Sequence, residues 1–308
     1  NAPESYVVVK GDTLWDISGR FLEKPWRWPE IWRLNKTQIK NPHRIYPGDV
    51  IVLDLSDGSP RLRLGKSFVK LSPEVHIEPI PREVPSIPVH IIEPFISRPL
   101  VVTENELQNA PRIIDSGAQE SRVVVGNGDE IYVLGAEEDV PRWHIYRPGV
   151  PLKDPISNKV LGYESIYLGT AKVKQPGEVA IMEVQTVKEE ILKGDLLTPA
   201  AEPSLEPYVP HDPENEVSGN VVSIYGGVGV GGKDSIIAVS LGAKDGIEQG
   251  HVLGLYTRRS TVYQGKTIAL PEQRYGVVFV FRVFENISYA LVMETTQPMR
   301  TGDAIKNP

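Results

Sequence analysis

The sequence predicts a mainly β, multidomain protein with an N-terminal βααβ module, a proline-rich extended connector and two related small β-barrel-like domains. Its 308 residues suit two or three domains of ordinary size. Two proline-rich stretches divide the chain, and short Val/Ile/Tyr/Phe runs between Gly and Pro residues indicate strands in the remaining segments. The predicted boundaries are 1–54, 55–110, 111–198, 199–216 and 217–308.

The first 54 residues have the pattern of a compact βααβ unit. Thr13 and Asp16 have capping-box spacing at the start of a first helix. Pro29 suits the first turn of a second helix, and a tight loop follows it. The predicted elements are a strand at 6–9, a helix from 13, a helix at 30–35 and a strand at 50–53.

Three blocks of this module resemble the LysM family in order and spacing. They read YVVVKGDTLWDIS, then IWRLNK, then NPHRIYPGDVIVL. The sequence departs from shorter LysM modules at PWRWPE, an insertion between the helices that carries more bulky residues. The resemblance implies binding of N-acetylglucosamine-containing glycan, and hence of peptidoglycan, in a shallow groove.

Two loops line that groove in the family, one before the first helix and one before the second strand. The resemblance implies that the glycan-binding residues here are Gly11, Asp12, Thr13, Leu14, Trp15, Ile39, Asn41, Arg44, Ile45, Tyr46 and Pro47. Backbone groups of such loops can bond acetamido groups, while Leu14, Ile45 and Pro47 can cover the sugar face. Trp26 and Trp28, on the insertion, are further candidates for glycan contact.

The same residues also have structural interpretations, which the sequence leaves open. Asp12 and Thr13 suit the cap of the first helix, and capping is the more common role for these residue types there. A small domain without disulfides needs bulky core residues, so at least two of the module's four tryptophans are expected to pack rather than to meet sugar. These four are Trp15, Trp26, Trp28 and Trp32.

The two proline-rich stretches differ in character. Nine prolines within 60–111 are interspersed with Val, Ile and Phe, which predicts an extended strand packed along another surface. A short helix is predicted to start at Thr103, which has capping-box spacing to Glu106. The stretch 199–213 has five prolines and no Lys or Arg, which indicates a solvated acidic linker or a polyproline-type spacer.

Four sequence blocks recur in the same order in the two β-rich domains. GNGDEIYV resembles GGKDSIIAV, HIYRPG resembles GLYTRR, SIYLGTAKV resembles RYGVVFVFRV, and EILKGDLL resembles QPMRTGDAI. Duplication explains the shared order better than chance similarity between turn-rich β segments, which stays the alternative. The Gly-Asp pairs that end at Asp195 and Asp303 predict turns.

A further resemblance concerns the C-terminal domain. SIIAVSLGAKDGIEQGHVLGLYTRR is similar to the small β-barrel at the C-terminus of the flagellar assembly protein FlgT. It implies an SH3-like barrel used for protein contacts.

Composition and motif content argue against several functional classes. The net charge of −7 disfavours nucleic acid, and the absence of cysteine excludes disulfides and thiol chemistry. No apolar run approaches the ~20 residues of a membrane span. The six histidines have no metal-ligand spacing, and no P-loop, GxSxG or HExxH motif occurs, so no metal site, cofactor or catalytic residue is predicted.

The sequence therefore predicts a non-catalytic peptidoglycan-binding protein that tethers a protein-interaction body to glycan and contacts another envelope protein. Because the chain starts with Asn1 rather than Met, we expect an N-terminal signal to have been removed and the protein to be periplasmic or in the Gram-negative envelope. Two alternatives stay open. One is a structural scaffold whose head binds no sugar, and the other is a cell-wall hydrolase with a carboxylate pair in the bodies.

Overall fold

The computed structural model describes residues 3, 5–29, 45–54, 61–65, 87–96, 101–116, 125–200, 209–225, 229–263 and 266–308. These residues form a mainly β protein, which confirms the predicted fold class. Within the described ranges, no helix combines the length and the apolar character needed to span a bilayer.

The N-terminal module, which we call the head, contains a three-stranded antiparallel sheet. Its strands are β1 (Ser5–Val7), β2 (Val50–Asp54) and β3 (Arg61–Gly65), with β2 in the centre. Helix α1 (Leu14–Gly19) begins at the predicted capping box, because Asp16 N–H donates to Thr13 Oγ1 at 3.1 Å and Thr13 N–H donates to Asp16 at 3.2 Å. A 3₁₀ turn follows at Pro25–Arg27. The second predicted helix, at 30–35, lies outside the described residues.

The prediction of an extended strand is wrong for the segment 89–96, which forms a helix, whereas the short helix predicted to start at Thr103 is confirmed. Helix α2 covers Val89–Ile96, helix α3 covers Glu104–Asn109, and the short strand β4 (Val101–Val102) lies between them. Helix α3 begins at the predicted capping box. Glu106 N–H donates to Thr103 Oγ1 at 3.2 Å, and Thr103 N–H donates to the Glu106 carboxylate at 2.6 Å.

Six strands of the first body pair in a closed ring, which we call the first barrel. In chain order they are β5 (Arg112–Ser116), β6 (Glu130–Leu134), β7 (Arg142–Lys153), β8 (Val160–Gln175), β9 (Val179–Val187) and β10 (Leu196–Pro199). The ring order is β8-β7-β10-β5-β6-β9, and β9 pairs back to β8. Strand β4 pairs with β8 beyond the ring. Buried residues from these strands form one cluster that includes Trp143, Leu168 and Met182.

The C-terminal body contains the second barrel and two accessory strand pairs. The barrel strands are β11 (Ser218–Ile224), β13 (Ile236–Val239), β14 (Val252–Tyr256), β17 (Arg274–Val283), β18 (Ser288–Thr295) and β20 (Ala304–Lys306). The accessory pairs are β12 (Val230–Gly231) with β19 (Met299–Arg300), and β15 (Ser260–Tyr263) with β16 (Lys266–Ala269). The barrel closes in the order β17-β14-β20-β11-β13-β18. If the six strands of each barrel are numbered 1 to 6 in chain order, both barrels have the same ring order, 4-3-6-1-2-5.

The strands of the second barrel are buried on both faces. Val278 and Val280 belong to one buried cluster, and the alternating Phe279 and Phe281 belong to another. The second cluster also contains Leu152, from the β7–β8 hairpin of the first barrel, together with Ile92 of α2 and two tryptophans of the head. Other parts of the chain therefore cover one face of this barrel.

Helix α2 contributes to that cover. Ile92 is buried, the Phe95 ring meets Tyr225 edge-on at a centroid distance of 4.8 Å, and Arg282 donates to the Phe95 carbonyl at 2.8 Å. Ile91 and Ile96 are half-buried beside them. These apolar residues recur at helical spacing, so a helix places them on the same surface whereas a strand would divide them between two faces.

The C-terminal end of the predicted linker is largely exposed, but it is hydrogen-bonded to the second barrel. Residues 201–208 lie outside the described ranges, but from 209 onwards the chain packs on the second barrel. His211 N–H donates to Gly250 O at 3.1 Å, and Val252 N–H donates to His211 O at 2.9 Å. Two prolines of this segment are buried, Pro210 and Pro213.

One four-residue turn recurs through the described part of the chain. Its third residue has a positive φ in all seven copies given below, and the side chain of its fourth residue accepts the backbone N–H of the first residue. Glycine suits the third position because it adopts positive φ without steric strain. The turn occurs at 9–12, 46–49, 126–129, 192–195, 232–235, 248–251 and 300–303. The turns predicted at Asp195 and Asp303 are among them and are confirmed.

Candidate functional site

The turns at 9–12 and 46–49 belong to the two loops predicted to line the glycan groove. In each turn, the backbone N–H of the first residue donates to the carboxylate of the fourth residue, an aspartate, at 2.9 Å. Val8 connects them, because its N–H donates to Asp49 O at 2.9 Å and its carbonyl accepts from Gly48 N–H at 2.8 Å. The fold therefore brings the two predicted loops together at one end of the β1–β2 pair.

Four of the predicted groove residues offer surface there. Gly11 is exposed, and Asp12, Tyr46 and Pro47 are half-buried. This set combines peptide groups, a carboxylate and an aromatic ring, which is the kind of mixed surface that binds sugars. Three further predicted residues lie outside the described ranges: Ile39, Asn41 and Arg44.

Leu14 and Ile45 do not have the predicted position on the groove surface. Both are fully buried in the core of the head, where they pack with Val8, Ile17 and other apolar residues. The prediction that they cover the sugar face is therefore corrected. A module this small has few other large apolar side chains with which to fill its core.

Asp12 and Thr13 have different structural roles. Thr13 is the N-cap of α1, as the structural interpretation predicted, and it is buried. Asp12 closes the preceding turn and also accepts the Tyr6 hydroxyl at 2.9 Å. Desolvation, followed by this bond to Asp12, raises the pKa of Tyr6. The Asp12 carboxylate therefore stabilises the first of the two predicted loops, and Asp12 is half-buried there.

Three tryptophans predicted to contact glycan are buried, which corrects that prediction for each of them. Trp15, Trp26 and Trp28 each expose 2% or less of their surface. Trp28 packs in the core of the head, whereas Trp15 and Trp26 belong to the cluster on the second barrel. An indole buried against protein cannot stack on a sugar ring, so these residues act in packing.

Trp15 and Trp26 dock the head on the second barrel. Trp15 Nε1 donates to Glu294 Oε1 at 3.3 Å, and Trp26 Nε1 donates to Asp212 Oδ1 at 2.6 Å. The two ring centroids are 6.0 Å apart, and the Arg274 guanidinium lies 5.8 Å from the centroid of Trp26. Each indole thus has apolar cover and an acceptor for its N–H, which is what a buried tryptophan requires.

The sequence comparisons agree with the geometry of the head. Residues 6–54 match the family model of the LysM domain. These residues are a LysM domain. The chain is also similar to the uncharacterized protein YqbP of Bacillus subtilis (strain 168), with 42% identity over 57 residues. That match covers 16% of this chain and 26% of YqbP, so the chain spans about a quarter of the relative's length. The LysM domain supports binding of peptidoglycan or related glycan.

A histidine pair that sequence reasoning missed lies beside the contact between the LysM head and the second barrel. The ring centroids of His211 and His251 are 4.7 Å apart, and Glu248 lies next to them. Burial, followed by the nearby His211, lowers the pKa of His251. Asp212, which follows His211 in the sequence, connects the pair to the head because it accepts the Trp26 indole N–H. Strand pairing joins residues that are far apart in sequence, so no local spacing could indicate the pair.

Proposed function

We propose that this chain is a non-catalytic envelope protein whose LysM head tethers a β-barrel body to peptidoglycan. The match of residues 6–54 to the LysM domain carries the proposal. The convergence of turns 9–12 and 46–49 supports it, because both loops implied by the LysM resemblance meet on one surface. Peptidoglycan lies in the bacterial envelope, so the proposal places the protein in the periplasm or cell envelope.

The part of the groove formed by described residues has a small accessible surface, and we base the expected affinity on it. Gly11 and Pro47 offer backbone and apolar surface, and Tyr46 offers an aromatic ring. Few polar contacts over a small area give a dissociation constant in the range of ~10 μM to ~1 mM for a short glycan. Several copies on one sacculus raise the apparent affinity through avidity.

The docking of the head supports a tethering role for the whole chain. Because the Trp15 and Trp26 contacts hold the head against the second barrel, a glycan in the groove is held at a fixed orientation to the body. A binding module that only raised local concentration would need no such contact. In this proposal the body contacts another envelope protein, as SH3-like barrels do.

We also propose that the two barrels are copies of one ancestral domain. Their ring orders are the same, and each sequence block of the predicted repeat falls on matched strands. The turns at 192–195 and 300–303 correspond in detail: Gly194 N–H donates to Ile113 O at 2.9 Å, and Gly302 N–H donates to Val221 O at 2.8 Å. The same turn can arise more than once without duplication, but the turns do not determine the ring order, so the shared ring order is separate support for duplication.

Retention on purified sacculi tests the glycan-binding proposal. The full chain should sediment with peptidoglycan, and Tyr46→Ala should lower the retained fraction at least ~5-fold, because Tyr46 is half-buried at the groove. Tyr263→Ala is a matched control, since Tyr263 is 62% exposed on the β15–β16 hairpin. Equal retention of wild type and Tyr46→Ala would contradict the proposed groove.

One observation favours a second candidate, a structural scaffold whose LysM head binds no sugar. Leu14 and Ile45 have no exposed surface, so two of the three residues predicted to cover the sugar face, all but Pro47, do not reach it. Absence of sedimentation by the wild-type chain would support that candidate. Release of muropeptides by the full chain would instead contradict the non-catalytic assignment and support a hydrolase.

A further inference from the structure

We propose that His211, Glu248 and His251 bind a divalent transition-metal ion of the zinc class at the joint between the second barrel and the segment 209–212. One ligand atom from each residue lies within 4.8 Å of the other two. Two imidazoles and a carboxylate are a donor set that zinc prefers. Three protein ligands leave one tetrahedral position for water or an outside ligand.

Backbone hydrogen bonds hold both histidines in place. Two backbone hydrogen bonds hold His211 against the start of β14. His211 N–H donates to Gly250 O at 3.1 Å, and Val252 N–H donates to His211 O at 2.9 Å. His251 N–H donates to Glu248 O at 3.2 Å, and Val280 N–H donates to His251 O at 2.8 Å. The fold thus fixes the main chain of both histidines next to each other, and the side chains of His211 and Glu248 are exposed.

The ligand atoms must approach one another by up to about 1.4 Å to bind an ion. Zinc–nitrogen bonds of 2.0–2.1 Å give a tetrahedron with edges of ~3.4 Å, shorter than the 4.8 Å spread. His211 and Glu248 are exposed and can move, whereas His251 is 4% exposed and stays fixed. The ion is therefore expected at His251, with the two exposed ligands closing on it.

The second ring nitrogen of His211 has the partner that a metal ligand usually has. His211 Nδ1 lies 3.0 Å from the Val209 carbonyl. When Nδ1 donates its proton there, Nε2 presents a lone pair to the ion, and the ring orientation is fixed. The carbonyl thereby selects the tautomer that binds metal.

His251 gives the site a measurable signature. Its Nδ1 accepts the Glu248 backbone N–H at 3.1 Å, which closes the turn 248–251. Coordination through Nδ1 replaces this bond directly. Coordination through Nε2 requires the proton to be on Nδ1, which also removes the acceptor. Whichever nitrogen binds, the Glu248 N–H loses its hydrogen bond when the ion enters.

The ion would also affect the docking of the head. Asp212 follows His211 and accepts Trp26 Nε1 at 2.6 Å, so a metal that fixes His211 also fixes the acceptor of the head tryptophan. A cleft of about 320 Å³ adjoins the site and gives the ion a route from solvent. Its lining includes Trp26, Arg27, Pro210, His211 and Asp212.

Titration of the metal-free full chain with zinc chloride tests the proposal by calorimetry. We expect one Zn²⁺ per chain with a dissociation constant below ~10 μM, weakened at least ~10-fold by His211→Ala and by Glu248→Gln. The matched control is Glu214→Gln, because Glu214 is exposed and acts on His251 through charge but is not a ligand. It should bind zinc within ~2-fold of wild type.

Amide spectra provide the second measurement. Stoichiometric zinc should shift the Glu248 amide resonance of wild type, and the same zinc concentration should shift it less in His211→Ala. The absence of saturable zinc binding, equal affinity in wild type and His211→Ala, or an unmoved Glu248 amide at saturation would each overturn the proposal. Sacculus retention plays no part in this test, so its outcome is independent of the glycan proposal.

Discussion

Replacing Asp154 should destabilise the contact between the two barrels, because this residue connects the tip of the β7–β8 hairpin to the second barrel. Within the hairpin, one carboxylate oxygen accepts Ser157 N–H at 2.7 Å and the Ser157 hydroxyl at 2.9 Å. The other oxygen accepts Asn220 Nδ2, from β11 of the second barrel, at 2.8 Å. Asp154 exposes only 8% of its surface, so water replaces these bonds poorly.

The expected magnitude follows from these contacts. A hydrogen bond to a charged group contributes roughly 1.5–3 kcal/mol, and Asp154→Ala removes the acceptor and leaves the Asn220 amide unpaired, so we expect a loss of about 3 kcal/mol. Asp154→Asn should cost about 1 kcal/mol. Asn220 Oδ1 is buried without a partner among the described residues, so the Asn220 amide can turn and accept from the side-chain amide that this substitution introduces.

The contribution of Asp154 should disappear in acid. Burial raises the pKa of Asp154, but hydrogen bonds from the Ser157 backbone, Asn220 and the Ser157 hydroxyl outweigh it, so the net pKa is lowered. A carboxyl whose folded pKa lies below its unfolded value of about 3.9 stabilises the protein above that value. This stability starts to decline as the pH falls below about 4, and it is lost as the pH falls through the lower pKa of the folded state.

Urea unfolding of wild type, Asp154→Ala and Asp154→Asn at pH 7, 5, 4 and 3 checks both points. The difference between wild type and Asp154→Asn should be constant from pH 7 to 5 and should shrink at pH 4 and 3. Asp139→Ala serves as the control, because Asp139 is exposed in the same barrel and its loss should change stability by less than about 0.5 kcal/mol. A difference between wild type and Asp154→Asn that is as large at pH 3 as at pH 7, or an Asp154→Ala variant as stable as the control at pH 7, would refute the reasoning.

Two further substitutions test the docking and the turns. Trp26→Phe keeps most of the apolar contact but leaves Asp212 without the indole N–H, so urea unfolding should show a loss of about 2 kcal/mol. Gly302→Ala should cost about 1–2 kcal/mol, because φ is +92° and no atom within 4 Å would meet the new Cβ, so only backbone strain acts. Gly232→Ala, which has the same open space but no positive φ, should be neutral within about 0.5 kcal/mol in the same assay, and equal costs would exclude strain as the cause.

Local hydrogen-bond chemistry could be predicted from the sequence. Both capping boxes, at Thr13 and at Thr103, form where a threonine precedes an acid by three residues. The Gly-Asp turns form for a similar reason, since the side chain and the peptide group that it binds are only three residues apart. Such interactions depend on neighbours along the chain and therefore leave a signal in the sequence.

The roles of the tryptophans could not be predicted in the same way. An indole needs apolar cover and an acceptor for its N–H, and a sugar or a neighbouring domain can satisfy both needs. The acceptors of Trp15 and Trp26 lie 279 and 186 residues further along the chain. Nothing near PWRWPE indicates such distant partners. The pair His211 and His251 could not be predicted either, because the two residues are distant along the chain.

The burial pattern of the matched strands explains why the head docks on the second barrel rather than on the first. In β17 every residue from Val277 to Phe281 exposes 4% or less. In β8, by contrast, Ala171 and Val173 pack in the core of the first barrel, and the exposed Lys172 lies between them. A strand that reads as a continuous apolar run needs cover on both faces, and an alternating strand needs it on one. Since the two rings have the same strand order, the run GVVFVF already distinguishes the barrel with a covered outer face. The alternation in β8 leaves outward-facing residues of the first barrel open to the protein partner that we propose.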